Sequence, residues 1–370
     1  MRGTSINWTF NTETENCVLV LASVFMFDVV LSCFQVLLHS QAWKSAGPSG
    51  SIKQLIVDCF RSRAVSTVKR YMKEVVMFLK FQTDRGLAGS FPATVVHLSL
   101  YLSLLLGKRK VGAVSIAYAA LKWVHGILPV ERNPLDCGLC RNLVEAEKRQ
   151  RTSAVTKKES ASPDLIKAIM SRYGKENSTL KDLRIATMCA LSFAGLFRSK
   201  ELLNIRICDI KVFTDYIIIH VPCSKTDVYR QGQDVFISKS HKESCPGLLL
   251  ERYLAKAKIS VNDSTEYLFK NVIYLKSSNH YILGNKIVSY TRFRELFKEC
   301  LRELGYDDKQ YSLHSFRSGG ATTIVKNLKD VSSKERLLKL HGRWKSDIAK
   351  DMYVKEDIQE RLSVSKSLGL

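Results

Sequence analysis

Several scarcities narrow what the chain can be. Seven prolines and 19 glycines in 370 residues exclude a collagen-like repeat and the low-complexity make-up of a disordered chain. No GxxxxGK[ST] loop, GxSxG elbow or HExxH pair occurs, which argues against a nucleotide-driven motor or a zinc protease. Self-similarity at a period of about 20 to 50 residues is also missing, so a repeat array is not expected. The ten cysteines include a single CxxC, Cys137 and Cys140, with no second pair beside it; His241 and Cys245, the nearest alternative, fall in a different expected domain. Thiols scattered through apolar stretches such as MCALSF read as packed, reduced cysteines of an intracellular protein, so neither a metal nor a cofactor is expected.

Acidic residues are few beside basic ones: 35 Asp and Glu against 57 Lys and Arg give a net charge of +22. The first 50 residues hold two basic residues (Arg2, Lys44) and three acidic ones (Glu13, Glu15, Asp28), so the rest of the chain carries +23. Such a surplus destabilises a compact state by self-repulsion unless a polyanion or an anionic membrane answers it, and nucleic acid is the leading candidate. Residues 17–38 form an apolar run with Asp28 at its centre. A central Asp costs about 2.5 to 3.5 kcal/mol on insertion, which weighs against a membrane span, and the acidic upstream flank does not suit a secretory signal. Residues 1–50 are therefore read as an apolar appendage of unassigned role, with no membrane partner.

From about residue 52 the pattern becomes short amphipathic helices. Val65, Val68, Tyr71, Val75, Phe78 and Leu79 recur at helical spacing, with Lys69, Arg70, Lys73 and Lys80 between them. Pro92 opens a second helix through Val95 to Leu106, closed by the basic turn Gly107, Lys108, Arg109, Lys110; a third spans about 113–125, and Pro134 can start a fourth with Leu139 and Leu143 inward. Residues 51–147 thus predict an all-helical domain. The stretch 148–161 begins with Lys148, Arg149 and Arg151 and has no apolar period; it reads as an exposed linker, either following a phosphate backbone or simply a solvated tether. A nuclear-localisation role is a weaker third reading. Residues 162–370 predict a mostly helical domain with a small antiparallel sheet: helices near 163–172, 181–195, 247–257, 289–304, 314–327, 332–340 and 346–353, and strands 216–221 and 234–237 around a polar loop. The fold class is mainly α, with mixed α/β character in the second domain.

Four segments of that domain carry residues suited to one phosphate. They are the turn with Arg198 and Glu201, the hairpin loop with Lys225, the HxxR of His314 and Arg317, and Trp344 with Tyr353. Attack on a phosphodiester builds negative charge on the equatorial oxygens, and guanidinium forks match those oxygens better than point charges. The spacing of three puts His314 and Arg317 on one helical face. A phenol can act as nucleophile if deprotonated, a lysine beside two arginines suits proton donation, and the indole N–H can only donate. Taken singly, each residue has an ordinary explanation as an ion pair, a cap or a core side chain.

Their order decides the matter. Arg198 followed by Glu201, Leu202, Asp209 and Ile210, then Lys225, then His314 and Arg317, then Trp344 nine residues before Tyr353, resembles the tyrosine recombinase (phage integrase) family over about residues 52 to 360. The resemblance implies a site-specific DNA recombinase from a mobile element, in which Tyr353 attacks the scissile phosphate to give a 3′-phosphotyrosyl enzyme and a free 5′-hydroxyl. It also implies that Arg198 and Arg317 clamp the non-bridging oxygens, Lys225 protonates the leaving oxygen, His314 assists, Trp344 hydrogen-bonds phosphate, and Glu201 buttresses Arg198 or His314. No ATP is needed. The implied architecture is a helical core-binding domain and a catalytic domain clamping double-stranded DNA, with a homo-tetramer at synapsis. Lys69, Arg70, Lys73, Lys108, Arg109, Lys110, Lys148, Arg149 and Arg151 would be DNA contacts, and the compartment would be the nucleus of a eukaryote or the nucleoid and cytoplasm of a prokaryote. Arg343 stands where many members have Gly, which predicts a different local turn. The competing readings are a type IB topoisomerase, favoured if plasmid relaxation exceeds joining, and a domesticated DNA-binding protein that lost the reaction.

Overall fold

The computed structural model describes residues 58–87, 91–108, 111–128, 131–150, 157–224, 227, 231–240, 242–261, 264–328 and 333–355, together with Gln54, Leu362, Ser365 and Ser367. The apolar run at 17–38, Lys225, Arg109, Lys110 and Arg151 lie outside these residues. The chain divides into two compact units, Met1–Val155 and Thr156–Leu370.

The described part of the first unit is helical: α1 (Val65–Thr83), α2 (Val95–Gly107), α3 (Ala113–His125), a 3-10 turn (Pro134–Asp136) and α4 (Gly138–Arg149). Val68, Met72, Val75 and Phe78 repeat every three to four residues, so one face of α1 is buried against α3. Thr94 caps α2 by accepting from the His97 N–H. Buried polar groups are also matched. Glu147 on α4 accepts from the N–H groups of Val114 and Ser115, each at 2.9 Å, putting a carboxylate on the positive end of α3. His125, fully buried, donates from Nδ1 to the Leu121 carbonyl (2.7 Å) and accepts the Ala93 N–H at Nε2 (3.0 Å).

Two expected inward residues face out. Val65 lies in the first turn of α1 and is exposed. Leu139 is 56% exposed because α4 starts at Gly138, after the 3-10 turn, rather than at Pro134; the inward stripe is then Cys140, Leu143, Val144 and Glu147.

The second unit is built around α6 (Leu180–Ala194), preceded by α5 (Pro163–Tyr173) and buried on nearly every side. A short α7 (Ser199–Leu203) and a 3-10 turn (Ile207–Asp209) lead into β1 (Ile210–Val212), β2 (Tyr216–Val221) and β3 (Gln233–Ser238), an antiparallel sheet in that order. Ile217 pairs with Ile237 and Ile219 with Val235, all buried, so a single face carries the apolar residues of both strands. Then follow α8 (Pro246–Lys256), a second hairpin of β4 (Lys270–Leu275) and β5 (His280–Ile287), α9 (Tyr290–Glu303), α10 (His314–Asn327), α11 (Lys334–Gly342) and α12 (Asp347–Asp351). The buried Arg184 of α6 ties the hairpin down by donating to the Lys270 carbonyl at 2.8 Å.

The stretch expected to be a free linker over 148–161 is different at both ends. Lys148 and Arg149 form the last turn of α4, where Glu145 pairs with them at 3.2 and 3.6 Å and basic charge suits the helix terminus. At the other end the Glu159 N–H donates to the Gln310 carbonyl, the Ala161 N–H to that of Ser315, and Ala161 is buried. Backbone hydrogen bonds, absent from composition, fix this segment to the second unit.

Candidate active site

The site is assembled by close backbone approach. In the run after Arg317, a Cβ on Gly319 would overlap the Ala161 carbonyl, and one on Gly320 would overlap the Phe193 carbonyl and the Leu196 side chain. Gly319 therefore lets α10 lie against the Ala161 backbone, and Gly320 lets it lie directly against the end of α6 and the turn that leads to α7. That turn carries Arg198 as the residue preceding α7, while Glu201 in the first turn of α7 accepts the Arg198 N–H at 3.0 Å, the reverse half of a capping box.

Arg317 is fully buried. Its guanidinium donates to the Leu196 and Gly342 carbonyls, so it joins the α6–α7 turn to the end of α11. The same group lies 4.3 Å from the centroid of the Trp344 ring and 5.1 Å from that of Tyr353, and these two rings are 5.4 Å apart. Of five guanidinium N–H bonds two are engaged; Arg317 Nε and Trp344 Nε1 are buried with no hydrogen-bond partner among the described residues. Burial, then repulsion from Arg198 and Arg343, lowers the Arg317 pKa to about 9. The group is a cation whose surroundings undersupply negative charge.

Glu201 carries the negative charge present. Its side chain is 3% exposed, with Oε1 2.6 Å from Arg198 Nη1 and Oε2 2.9 Å from Arg343 Nη2. Burial works to raise this carboxyl, but Arg343, the Arg198 N–H and the Arg198 guanidinium outweigh it and hold the carboxyl below its usual value.

Tyr353 lies just past α12, two residues beyond Asp351, rather than inside a helix running to 353. Its carbonyl accepts from Ser318 Oγ at 3.0 Å and its N–H donates to Lys350, so its backbone is anchored to α10 and α12. Trp344, Leu196, Ala321 and Leu338 form a small core against which Tyr353 packs. His314 begins α10, exposed, with its ring 5.9 Å from that of Tyr353.

The structure thus brings Arg198, Glu201, His314, Arg317, Trp344 and Tyr353 together. For Lys225 its neighbours are described: Ser224 and Asp227 line a recess of about 110 Å³ with Arg343 and Trp344, and Gln233 of β3 donates to the Leu340 carbonyl at 2.7 Å. Lys69, Arg70, Lys73, Lys108, Lys148 and Arg149 are exposed in the first unit. Sequence reasoning gave no role to His341, which donates to the Ala194 carbonyl at 2.7 Å and whose pKa burial lowers, nor to Arg343. Arg343 adopts the left-handed conformation itself (φ 57°, ψ 44°), at a backbone cost of roughly 1–2 kcal/mol that glycine avoids. An arginine in a glycine-favouring position was the available signal.

No protein-family model matches the chain. The XerH site-specific recombinase, solved bound to a palindromic difH substrate in a post-cleavage complex, superposes with a TM-score of 0.59 at 17% identity, covering 96% of each chain. The chain has the tyrosine recombinase fold. A second tyrosine recombinase structure, the Tn1549 transposon integrase in complex with transposon right end DNA, matches at a TM-score of 0.52 and 14% identity over 85% of this chain and 98% of that one. In sequence, the chain is 24% identical over 270 residues to an integrase/recombinase XerD homolog of Selenomonas ruminantium, covering 72% of this chain and 76% of that protein. The tyrosine recombinase fold accounts for the mainly helical build with a small antiparallel sheet expected from the sequence, to which the structure adds the β4–β5 hairpin.

Proposed function

We propose that the chain is a site-specific DNA recombinase, originating from a mobile element, that cleaves and rejoins strands through Tyr353. The observation that carries the proposal is the packing of the Tyr353 ring against a buried guanidinium and an indole whose Nε and Nε1 hydrogens have no acceptor among the described residues. Buried donors without partners cost free energy, and a phosphate oxygen is the acceptor that two cations and an indole N–H suit together. Support comes also from the +22 charge and from relatives named as recombinases and integrases.

In the reaction the Tyr353 oxygen forms a bond to phosphorus while the bond from phosphorus to the 5′-oxygen breaks. The phenol proton leaves toward His314, the titratable ring beside it, and the 5′-oxygen takes a proton from Lys225. Arg198 and Arg317 hold the non-bridging oxygens as charge grows on them, and Trp344 donates to one of them. The phosphotyrosyl bond keeps the energy of the broken ester, so a 5′-hydroxyl rejoins by the reverse path without ATP. Two DNA sites held by four protomers supply the exchanged strands.

The test is a nicked suicide substrate run on a denaturing gel. The unsubstituted chain gives a covalent protein–DNA adduct, and Tyr353→Phe, which keeps the ring and its packing, gives none while still retarding DNA on a native gel. An adduct that persists in the Phe variant refutes the assignment.

A further inference from the structure

Arg343 is the one buried arginine of the site that the motif leaves without a role. Capping α11 asks only for a left-handed backbone, which glycine provides freely, yet the position holds an arginine at φ 57°. Its side chain is 2% exposed. Nη1 donates to the carbonyls of Gly195 at 3.1 Å and His341 at 2.8 Å, and Nη2 to the Leu196 carbonyl and Glu201 Oε2, both at 2.9 Å. The guanidinium therefore spans from the end of α11 to the turn that carries Arg198.

The consequence is electrostatic. Glu201 divides its oxygens between two arginines: Oε1 faces Arg198 and Oε2 faces Arg343. Held by Glu201 alone, Arg198 would be half of a neutral ion pair, and its field at a phosphate would be largely cancelled. With Arg343 on the far oxygen, the carboxylate is already answered. Three guanidinium groups, those of Arg198, Arg317 and Arg343, then stand against one carboxylate, leaving two positive charges in excess. That excess matches a phosphodiester that gains a second negative charge on attack.

We infer that Arg343 is a positioning residue that neutralises Glu201, so that Glu201 orients Arg198 without cancelling its charge at the scissile phosphate. This rests on the recombinase reading above. The effect belongs to the chemical step: DNA binding draws on exposed lysines and arginines elsewhere, while the transition state draws on the charge of Arg198.

Single-turnover cleavage of the suicide substrate at saturating DNA, with native-gel affinity and thermal unfolding measured on the same samples, tests the inference. Arg343→Gln lowers the cleavage rate about tenfold or more with affinity unchanged, and adding Glu201→Gln to it restores most of the loss, because the uncancelled carboxylate is then gone. Arg343→Gly, which relieves the backbone while removing the charge, behaves like Arg343→Gln and replaces it should the glutamine variant fail to fold. A guanidinium that only braces the turn predicts the opposite pattern: a lower melting temperature and no recovery in the double variant. Cleavage at the unsubstituted rate in either single variant, or a double variant no faster than Arg343→Gln, overturns the inference and leaves the recombinase reading intact. Absence of any adduct from the unsubstituted chain overturns both.

Discussion

Arg198→Ala separates chemistry from folding, because the surroundings of Arg198 already hold a substitute for it. The side chain is 15% exposed and pairs with Glu201 Oε1 at 2.6 Å. A buried carboxylate stripped of its only partner would cost several kcal/mol. Here Glu201 keeps Arg343 at 2.9 Å and the residue-198 N–H at 3.0 Å, so the loss is that of one charge-assisted hydrogen bond, about 1–2 kcal/mol. In a unit of this size that lowers the melting temperature by roughly 2–8 °C. Arg317→Ala differs: it strips the Gly342 carbonyl of its donor, leaves the Leu196 carbonyl with Arg343 alone and opens a cavity, for about 3 kcal/mol or more. Cleavage by the Arg198 variant, however, loses one of two guanidinium groups facing the growing phosphate charge, a drop of about 10² to 10³. The suicide-substrate assay beside a melting curve reads both numbers. A folded Arg198→Ala protein that cleaves within about twofold of the unsubstituted rate refutes the clamp, and one that fails to fold refutes the claim that Arg343 and the residue-198 N–H keep Glu201 satisfied.

Two further expectations concern packing within each unit. Gly319→Ala sets a methyl group against the Ala161 carbonyl and should destabilise the second unit by about 1–3 kcal/mol; an unchanged melting temperature would mean α10 does not approach the 160s segment this closely. Burial lowers the pKa of His125 and of His341, so the folded state favours the neutral form of both. Their contribution is fully present above the unfolded value of about 6.5 and is lost as pH falls from there through the folded pKa. Melting temperature should accordingly fall between about pH 7.5 and 5.5, with His125→Gln showing a shallower fall, and a rise over that range contradicts the reading.

Much of the helical framework was legible in the sequence because amphipathic period, prolines near helix starts and terminal glycines act within one or two turns. The recurrence of Val68, Val75 and Phe78 along α1 is such a local fact. The β4–β5 hairpin was missed for the converse reason. Ile273, Tyr274 and Ile282 are exposed, so apolar residues fall on both faces and no alternation of apolar and polar residues marks the strands, whose place is held by pairing with each other, by Arg184 and by Val272, Tyr281 and Leu283 packed against the core. Leu139 faced the wrong way for want of one boundary: where a helix begins sets the phase of every residue after it.

The sequence by itself determined the kinds and order of the candidate site residues, the excess of positive charge, and most of the helices around them, since composition and short-range spacing suffice for these. The tertiary structure alone decided that Arg343, 142 residues from Glu201 along the chain, shares its carboxylate with Arg198. It also decided that Arg317, Trp344 and Tyr353 meet where Gly320 lets a helix touch a turn. Contacts between distant segments depend on how backbones pack, and no local pattern encodes that distance.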